Sequence, residues 1–303
     1  MPLAGDYSDI VELSPPSAHL LTIARSNQAN TMKPTSAINP PQATKAYGVL
    51  VVDSAKFLLL VALIVWLTVS GARRLGYNWQ WYRVPDYIFA FSAEGFEPGP
   101  LLQGLGVTLK ITVISLFLAF AFGLTTAFLR LSNSLLGRLL ARGYVELIRN
   151  TPLLVQLLFI YFVISPIVGL SRFASAVVAL SLFEGAYASE IIRAGIQSIP
   201  RGQWEGAFSL GLGTAKTYRL VVLPQAIRHV LPPLTGQAIS LLKDSALVST
   251  IAIYDLTMQG QAIIAETFLV FEVWLTVAAI YLVLTLTLST LVQHTEKRLQ
   301  IIQ

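Results

Sequence analysis

The sequence predicts an all-α integral membrane protein. Of its 303 residues, 54% are hydrophobic and only 12% are charged, whereas soluble domains carry about 25% charged residues. Several runs approach the length of about 20 mainly apolar residues that a membrane-spanning helix needs. Because such a composition cannot cover a water-exposed surface, we expect most of the chain to lie in a lipid bilayer.

The hydrophobic runs define a five-helix core and an extra N-terminal helix. The core spans are predicted at residues 111–129, 151–170, 173–189, 230–250 and 273–292. The additional run at 57–71 is apolar but short. Two interpretations of it stay open, a sixth span and a helix lying at the membrane surface.

Basic residues predict the orientation of these helices. The connections 130–149 and 193–228 carry nine Arg and Lys residues, whereas 251–271 carries none. Positively charged connections are retained in the cytoplasm, so we expect the C-terminus to be cytoplasmic. If 57–71 spans the membrane, the N-terminus of the chain is cytoplasmic as well.

The chain is expected to have four parts. Residues 1–47 are polar and carry no run of signal-peptide length, which predicts a loosely ordered cytoplasmic tail. Residues 48–99 hold the extra helix and an external segment rich in Trp, Tyr and Phe. That segment suits either a membrane-surface aromatic belt or a contact site for an external partner. The main transmembrane domain is 100–298, and 299–303 forms a short C-terminal tail.

A short helix is predicted inside the connection 193–228. Ser198 suits its N-cap and Pro200 its first turn, while Gly211 suits its end. Trp204 and Phe208 are four residues apart, so they lie on one face. From physical chemistry alone, this face fits a groove on a soluble partner as well as it fits packing beneath the membrane bundle.

The spacing of this connection resembles a known motif. The chain reads Glu205-Gly206-Ala207, three residues, Gly211, nine residues, then Val221-Val222-Leu223-Pro224. This is similar to the EAA loop of ATP-binding-cassette importer permeases, Glu-Ala-Ala, three residues, Gly, nine residues, Ile-x-Leu-Pro. Gly206 and Val221 depart from the pattern. Glycine inside a helix costs up to about 1 kcal/mol relative to alanine, which loosens the helix without abolishing it.

Flanking segments narrow the resemblance to the polar amino acid permeases of the histidine, glutamine and glutamate type. They include Arg149-Asn-Thr-Pro-Leu-Leu-Val-Gln156 and Ala186-Tyr-Ala-Ser-Glu-Ile-Ile-Arg193. Leu242-Lys-Asp-Ser-Ala-Leu-Val-Ser249 is a third such segment. The resemblance covers residues 100–298, and the tail and the first apolar run lie outside it.

The resemblance implies a set of partners. They are a second permease subunit, two cytoplasmic ATP-binding subunits, an external amino-acid-binding protein and the lipid bilayer; no nucleic acid is implied. The departure at Gly206 and the extra N-terminal run favour a non-identical second permease, and an identical one stays open. The chain contains no phosphate loop of the G-x-x-x-x-G-K-[ST] type, so we expect no enzymatic activity and no cofactor in this chain. ATP and Mg²⁺ are expected on the partner ATPase. The residues implied in coupling to it are Trp204, Glu205, Gly206, Ala207, Phe208, Gly211 and Pro224.

Polar residues within the predicted spans are candidates for substrate binding. Charges in a membrane are costly and mark functional sites by default, which selects Glu184 and Asp244. Glu184 suits either a substrate ammonium group or an ion pair within the bundle, and Lys243 beside Asp244 favours a local ion pair there. Weaker candidates, at the start of the second span, are Asn150, Thr151 and Gln156. We predict no catalytic residue and no metal site; the lack of cysteine excludes thiolate metal ligands and thiol nucleophiles within this chain.

Three alternative functions stay open from the sequence. The first is a permease of the same class for an opine or a small amine. The second is a stand-alone carrier or channel, although carriers often show internal repeats and none is apparent here. The third is a structural membrane scaffold, which would give no ATP-dependent flux.

Overall fold

The computed structural model describes residues 43–74, 76–92 and 95–300. The chain divides into two compact units, Met1–Asn78 and Trp79–Gln303. Most of the predicted N-terminal tail, and the last three residues of the C-terminal tail, lie outside the described residues.

The first unit contains one long helix, α1 (Ala43–Arg74). Its part Val52–Gly71 has a mean hydropathy of 2.0 and is long and apolar enough to cross a membrane. The apolar side chains there are exposed, as a helix surrounded by lipid requires. Asp53 and Lys56 form an ion pair at 3.6 Å, which pairs the two charges that precede the apolar run.

The second unit begins with a small aromatic segment. A 3₁₀ turn (Trp81–Arg83) leads into α2 (Val84–Ile88). Two strands follow, β1 (Phe89–Ser92) and β2 (Gly95–Pro98), and they pair as an antiparallel hairpin. This short hairpin lies outside the long helices, so the all-α prediction is confirmed, and the positive φ of Gly95, +124°, lies at its turn.

Two long helices, α3 (Pro100–Leu131) and α7 (Arg172–Gln197), form the centre of the bundle. They approach closely because small residues line their contact: a Cβ added at Gly123 would lie 2.7 Å from the Cβ of Ala188. Small residues at such contacts are typical of helices that pack in membranes. Both helices meet the length and hydropathy required of a span.

Between them the chain bends sharply. Helix α4 (Leu135–Arg149) is followed by α5 (Leu153–Phe159), a π-helical turn and α6 (Ser165–Val168). The axis of α4 meets that of the segment 153–168 at 108°. Pro152, which cannot donate a backbone hydrogen bond, sits at the start of α5. The predicted span 151–170 therefore corresponds to α5 and α6, and α4 runs across them.

The remaining helices complete the second unit. In chain order they are α8 (Arg201–Ser209), α9 (Thr214–Thr217), α10 (Leu223–Asp244), α11 (Leu256–Thr267) and α12 (Val270–Gln300). Within the described residues, four helices meet the criteria for a span, or five if the bent segment counts as one. Helix α10 is not among them; besides apolar residues it contains Arg228, His229 and the internal prolines Pro232 and Pro233.

Candidate functional site

The predicted loop helix is present as α8, and its end follows the expected chemistry. Gly211 has φ +78°, a left-handed conformation that favours glycine. The amides of Gly211 and Leu212 donate to the carbonyls of Phe208 and Ala207 at 2.9 and 3.2 Å. The helix stop predicted at Gly211 is therefore confirmed.

The start of α8 differs from the prediction, because Ser198 does not cap it. Ser198 instead follows the last turn of α7, where its Oγ donates to the carbonyl of Gly195 at 2.8 Å. The same Oγ lies 2.8 Å from Nδ1 of His229 on α10. Since the single hydroxyl proton is given to Gly195, Nδ1 of His229 is the donor. The pair joins α7 to α10 at the base of the loop.

The apolar face of α8 is divided between the interior and the surface. Trp204 packs edge-on against Tyr218, with ring centroids 5.0 Å apart, and Ala207 is buried. Phe208 is 48% exposed and Leu210 is 83% exposed. Trp204 is therefore partly covered by Tyr218 while Phe208 is exposed, and the role of both side chains in coupling stays a prediction.

The other residues of the motif lie near this surface. Glu205 and Gly206 are exposed, and a Cβ added at Gly206 would meet no atom within 4 Å. Pro224 is the second residue of α10 and directly follows a π-helical turn (Tyr218–Val222), an irregularity expected where proline removes a backbone donor from a helix. The motif thus forms one continuous surface element, from α8 to the start of α10.

Glu184 lines a partly open cavity between α3, α7 and α10. Its side chain is 2% exposed, and its Oε2 accepts a hydrogen bond from Nε2 of Gln237 at 2.5 Å. Oε1 receives no hydrogen bond from the described residues. The cavity has a volume of about 290 Å³, and apolar side chains of α3, α7 and α10 form most of its lining, with Thr235 and Gln237 as the further polar residues.

Asp244 belongs to the same neighbourhood. It interacts electrostatically with Glu184 and with the adjacent Lys243. The structure therefore brings together the two charged candidates, although they are distant in sequence. Gln237, which was not among the candidates, donates a hydrogen bond to Glu184, and Asp244 also interacts with Glu184 through a side-chain hydrogen bond.

The three weaker candidates do not line this cavity. They stabilise the bend between α4 and α5 instead. Gln156 donates through Nε2 to the carbonyl of Ile148 at 2.7 Å and to Oγ1 of Thr151 at 2.7 Å. Asn150 donates to the carbonyl of Glu146 at 2.7 Å. Because the backbone turns here, polar side chains are needed to satisfy carbonyl groups that a continuous helix would satisfy itself.

A cluster of charges that sequence reasoning missed lies where α3, α4 and α7 meet. Glu190 forms ion pairs with Arg130 and with Arg193, the second at 2.7 Å. Arg149 is also near, at 3.9 Å from Glu190, and its guanidinium stacks 5.3 Å from the ring centre of Tyr187. One carboxylate thus joins three arginines from three helices.

A second buried acid, Asp255, has a structural role. Its Oδ1 accepts a hydrogen bond from the amide of Met258 at 2.8 Å and so caps α11. Burial raises the pKa of Asp255 to about 6, because the charged form is poorly solvated there.

These features define a class: a multi-pass membrane protein that combines a buried carboxylate with an exposed helical loop. The family of "Binding-protein-dependent transport system inner membrane component" proteins matches residues 119–301. The chain belongs to this family. It is a permease subunit of an ABC transporter, a transport subunit rather than an enzyme.

Curated relatives and a solved structure agree with this assignment. The chain is 38% identical over 205 residues to the glutamine transport system permease protein GlnP of Escherichia coli, covering 67% of this chain and 94% of that one. It is 42% identical over 202 residues to the L-cystine transport system permease protein TcyB of Bacillus subtilis, covering 66% and 86%. A crystal structure of an amino acid ABC transporter with histidines matches with a TM-score of 0.63 and 43% identity, covering 66% of this chain and 94% of that one.

Proposed function

We propose that this subunit carries a polar L-amino acid across the cytoplasmic membrane into the cell. The observation that carries the proposal is the cavity beside Glu184, whose lining, among the described residues, holds this buried acid and no cationic side chain. A substrate ammonium or guanidinium group would supply a cationic donor to the carboxylate, and such charge-assisted hydrogen bonds are the strong ones. The names of the relatives, glutamine and L-cystine permeases, support the substrate class.

The transport cycle requires partners that this chain does not contain. The family description, a component of binding-protein-dependent transport systems, supports an external amino-acid-binding protein, a second permease subunit, and two cytoplasmic ATPases that bind ATP and Mg²⁺. We propose that the motif surface from Glu205 to Pro224 receives the ATPase. Phe208 and Leu210 are its exposed apolar side chains, while Trp204 holds α8 against the chain.

Uptake by the reconstituted transporter tests the role of Glu184. Replacing Glu184 with Gln keeps the size of the side chain but removes its charge, so we expect amino acid uptake to fall at least about tenfold. ATPase association should not change. Glu266→Gln is the matched control, because Glu266 is an exposed acid at the end of α11.

Competition by unlabelled solutes then identifies the substrate. Competing amino acids should reduce uptake, and small amines or opines should not. Unchanged uptake of every amino acid by the Glu184→Gln variant would remove this residue from the substrate path. Competition by an opine alone would overturn the assignment to amino acids while leaving the family intact.

A further inference from the structure

Helix α4 (Leu135–Arg149) presents three different faces. Its inner face is fixed to the bundle: Gly137, Ala141 and Val145 are buried, and the hydroxyl of Tyr144 donates to the carbonyl of Leu182 on α7 at 2.5 Å. The position and rotation of α4 are therefore set by its own contacts. Its other two faces are turned away from the chain.

The second face consists of exposed leucines. With 3.6 residues per turn, they form one continuous strip along the helix. The side chains are Leu135, Leu136, Leu139, Leu140 and Leu147, each at least 63% exposed. An apolar strip of this kind in contact with water would be unusual for a protein surface.

The third face is a strip of arginines along one edge of the leucines. Arg138, Arg142 and Arg149 follow each other at helical spacing. Arg138 donates to the carbonyl of Ser132 at 3.0 Å, and Arg149 lies against Glu190 and Tyr187. Arg142 is exposed and makes no ion pair with the described residues. Glu146 is the single acid of α4.

The bend after α4 places these faces at the membrane boundary. Since the segment 153–168 that follows corresponds to a predicted span, an angle of 108° directs α4 nearly along the membrane plane. A helix with a leucine strip beside an arginine strip is the pattern of interfacial helices. Cytoplasmic leaflets are negatively charged and attract basic segments, so the charges are complementary.

We propose that α4 is an interfacial helix of the cytoplasmic leaflet that binds anionic phospholipid. Its leucine strip enters the upper acyl layer, and the Arg142 guanidinium binds the lipid phosphate through paired N–H donors. The proposal goes beyond amino acid transport and makes the lipid surface a specific partner of this connection. It rests on the cytoplasmic orientation of 130–149.

Spin labelling tests where the leucine strip lies. The chain contains no cysteine, so the Leu140→Cys variant offers a single thiol for a nitroxide label. The ATPase used in the complex must be cysteine-free as well. The complex is reconstituted in phosphatidylcholine vesicles containing phosphatidylglycerol. We expect the label to be relaxed by oxygen, which enters lipid, and not by a water-soluble nickel complex. A label at Ala215→Cys, an exposed position of α9 within the connection 193–228, should show the opposite.

Two results would overturn the position of the strip. Relaxation of the Leu140→Cys label by nickel would place the leucines in water. Exclusion of both reagents, with dipolar coupling between two labels, would mean that a second permease copy covers the face.

Lipid retention tests the arginine. Phosphatidylglycerol that co-purifies with the complex should fall about fivefold in Arg142→Gln, since one basic residue near a lipid surface contributes about 1 kcal/mol. Retention of phosphatidylcholine should not change. The control is Arg172→Gln, an exposed arginine in the first turn of α7. Equal retention of phosphatidylglycerol by both variants would refute the site. Loss of phosphatidylglycerol on addition of millimolar inorganic phosphate would also refute it, because a site for free anions would then explain the retention.

Discussion

Two glycines in the connection 193–228 have different surroundings. This difference predicts opposite effects of alanine substitution on the stability of the protein. A Cβ at Gly195 would lie 2.1 Å from Cγ2 of Val230, whereas a Cβ at Gly206 would meet nothing within 4 Å. We expect Gly195→Ala to destabilise the protein by about 1–3 kcal/mol through overpacking. Gly206→Ala should stabilise it by up to about 1 kcal/mol, since alanine is the better helix former.

Thermal unfolding of the two variants in detergent measures the difference. If Gly195→Ala unfolds at the same temperature as the unchanged protein, α7 and α10 are not in close contact at this point. A stable Gly206→Ala variant that still transports would also show that the departure from the EAA pattern is not required for coupling.

Glu190 is expected to be the most sensitive charge at the ends of the helices. Its side chain is 21% exposed and pairs with Arg130, which is 14% exposed. Glu190→Gln would leave three arginines close together without their shared carboxylate, so we expect a loss of about 2 kcal/mol. Glu146→Gln, which changes an exposed acid, should have little effect on the unfolding temperature. Equal decreases of the unfolding temperature in the two variants would contradict a stabilising role of the Glu190 ion pairs.

At the scale of single elements, two aromatic side chains of α8 are expected to have different roles: Phe208 binds the ATPase, and Trp204 stabilises the fold. Phe208→Ser changes a half-exposed surface residue, so stability should change by less than about 0.5 kcal/mol while association with the ATPase weakens. Trp204→Ser removes the contact with Tyr218 and should cost about 2 kcal/mol of stability. Pull-down of the ATPase, together with thermal unfolding, checks both variants. Normal association of Phe208→Ser would exclude this side chain from the interface.

How far the sequence predicts an element depends on whether its determinants are local. The end of α8 was predicted because Gly211 acts within its own turn. The start was not, because the hydroxyl of Ser198 is bound by His229 on another helix. The same reason applies to the carboxylates: hydropathy selected Glu184, but its partner Gln237 is 53 positions away in the chain.

The polar residues at the bend have a structural role that their place beside an apolar run did not predict, and their role in substrate binding stays a prediction. Asn150, Thr151 and Gln156 were assigned to the substrate because they are polar and lie beside an apolar run. The structure uses them to satisfy carbonyl groups where the backbone turns by 108°. A break between α4 and α5 cannot be read from hydropathy, which sees only the length of the apolar run.

At the scale of the whole molecule, the family assignment does not depend on the additional N-terminal residues. The family match begins at residue 119, and relatives of this chain cover about two thirds of it. Both the cavity and the motif surface lie within Trp79–Gln303. The unit that contains α1 is therefore additional to the part of the chain in which both proposed sites lie.

The orientation of this domain is the last expectation, and the lack of cysteine makes it directly measurable. Ala215 and Gln261 are both exposed. Ala215 lies in the basic connection 193–228, and Gln261 lies in α11, which contains no Lys or Arg. In intact cells, an impermeant maleimide should label Gln261→Cys, while Ala215→Cys should react only after the membrane is opened. Basic connections resist translocation across the membrane. Because successive spans alternate in direction, fixing the side of one connection fixes the direction of every helix. Labelling of Ala215→Cys from outside would therefore invert the whole topology, together with the cytoplasmic positions proposed for α4 and α8.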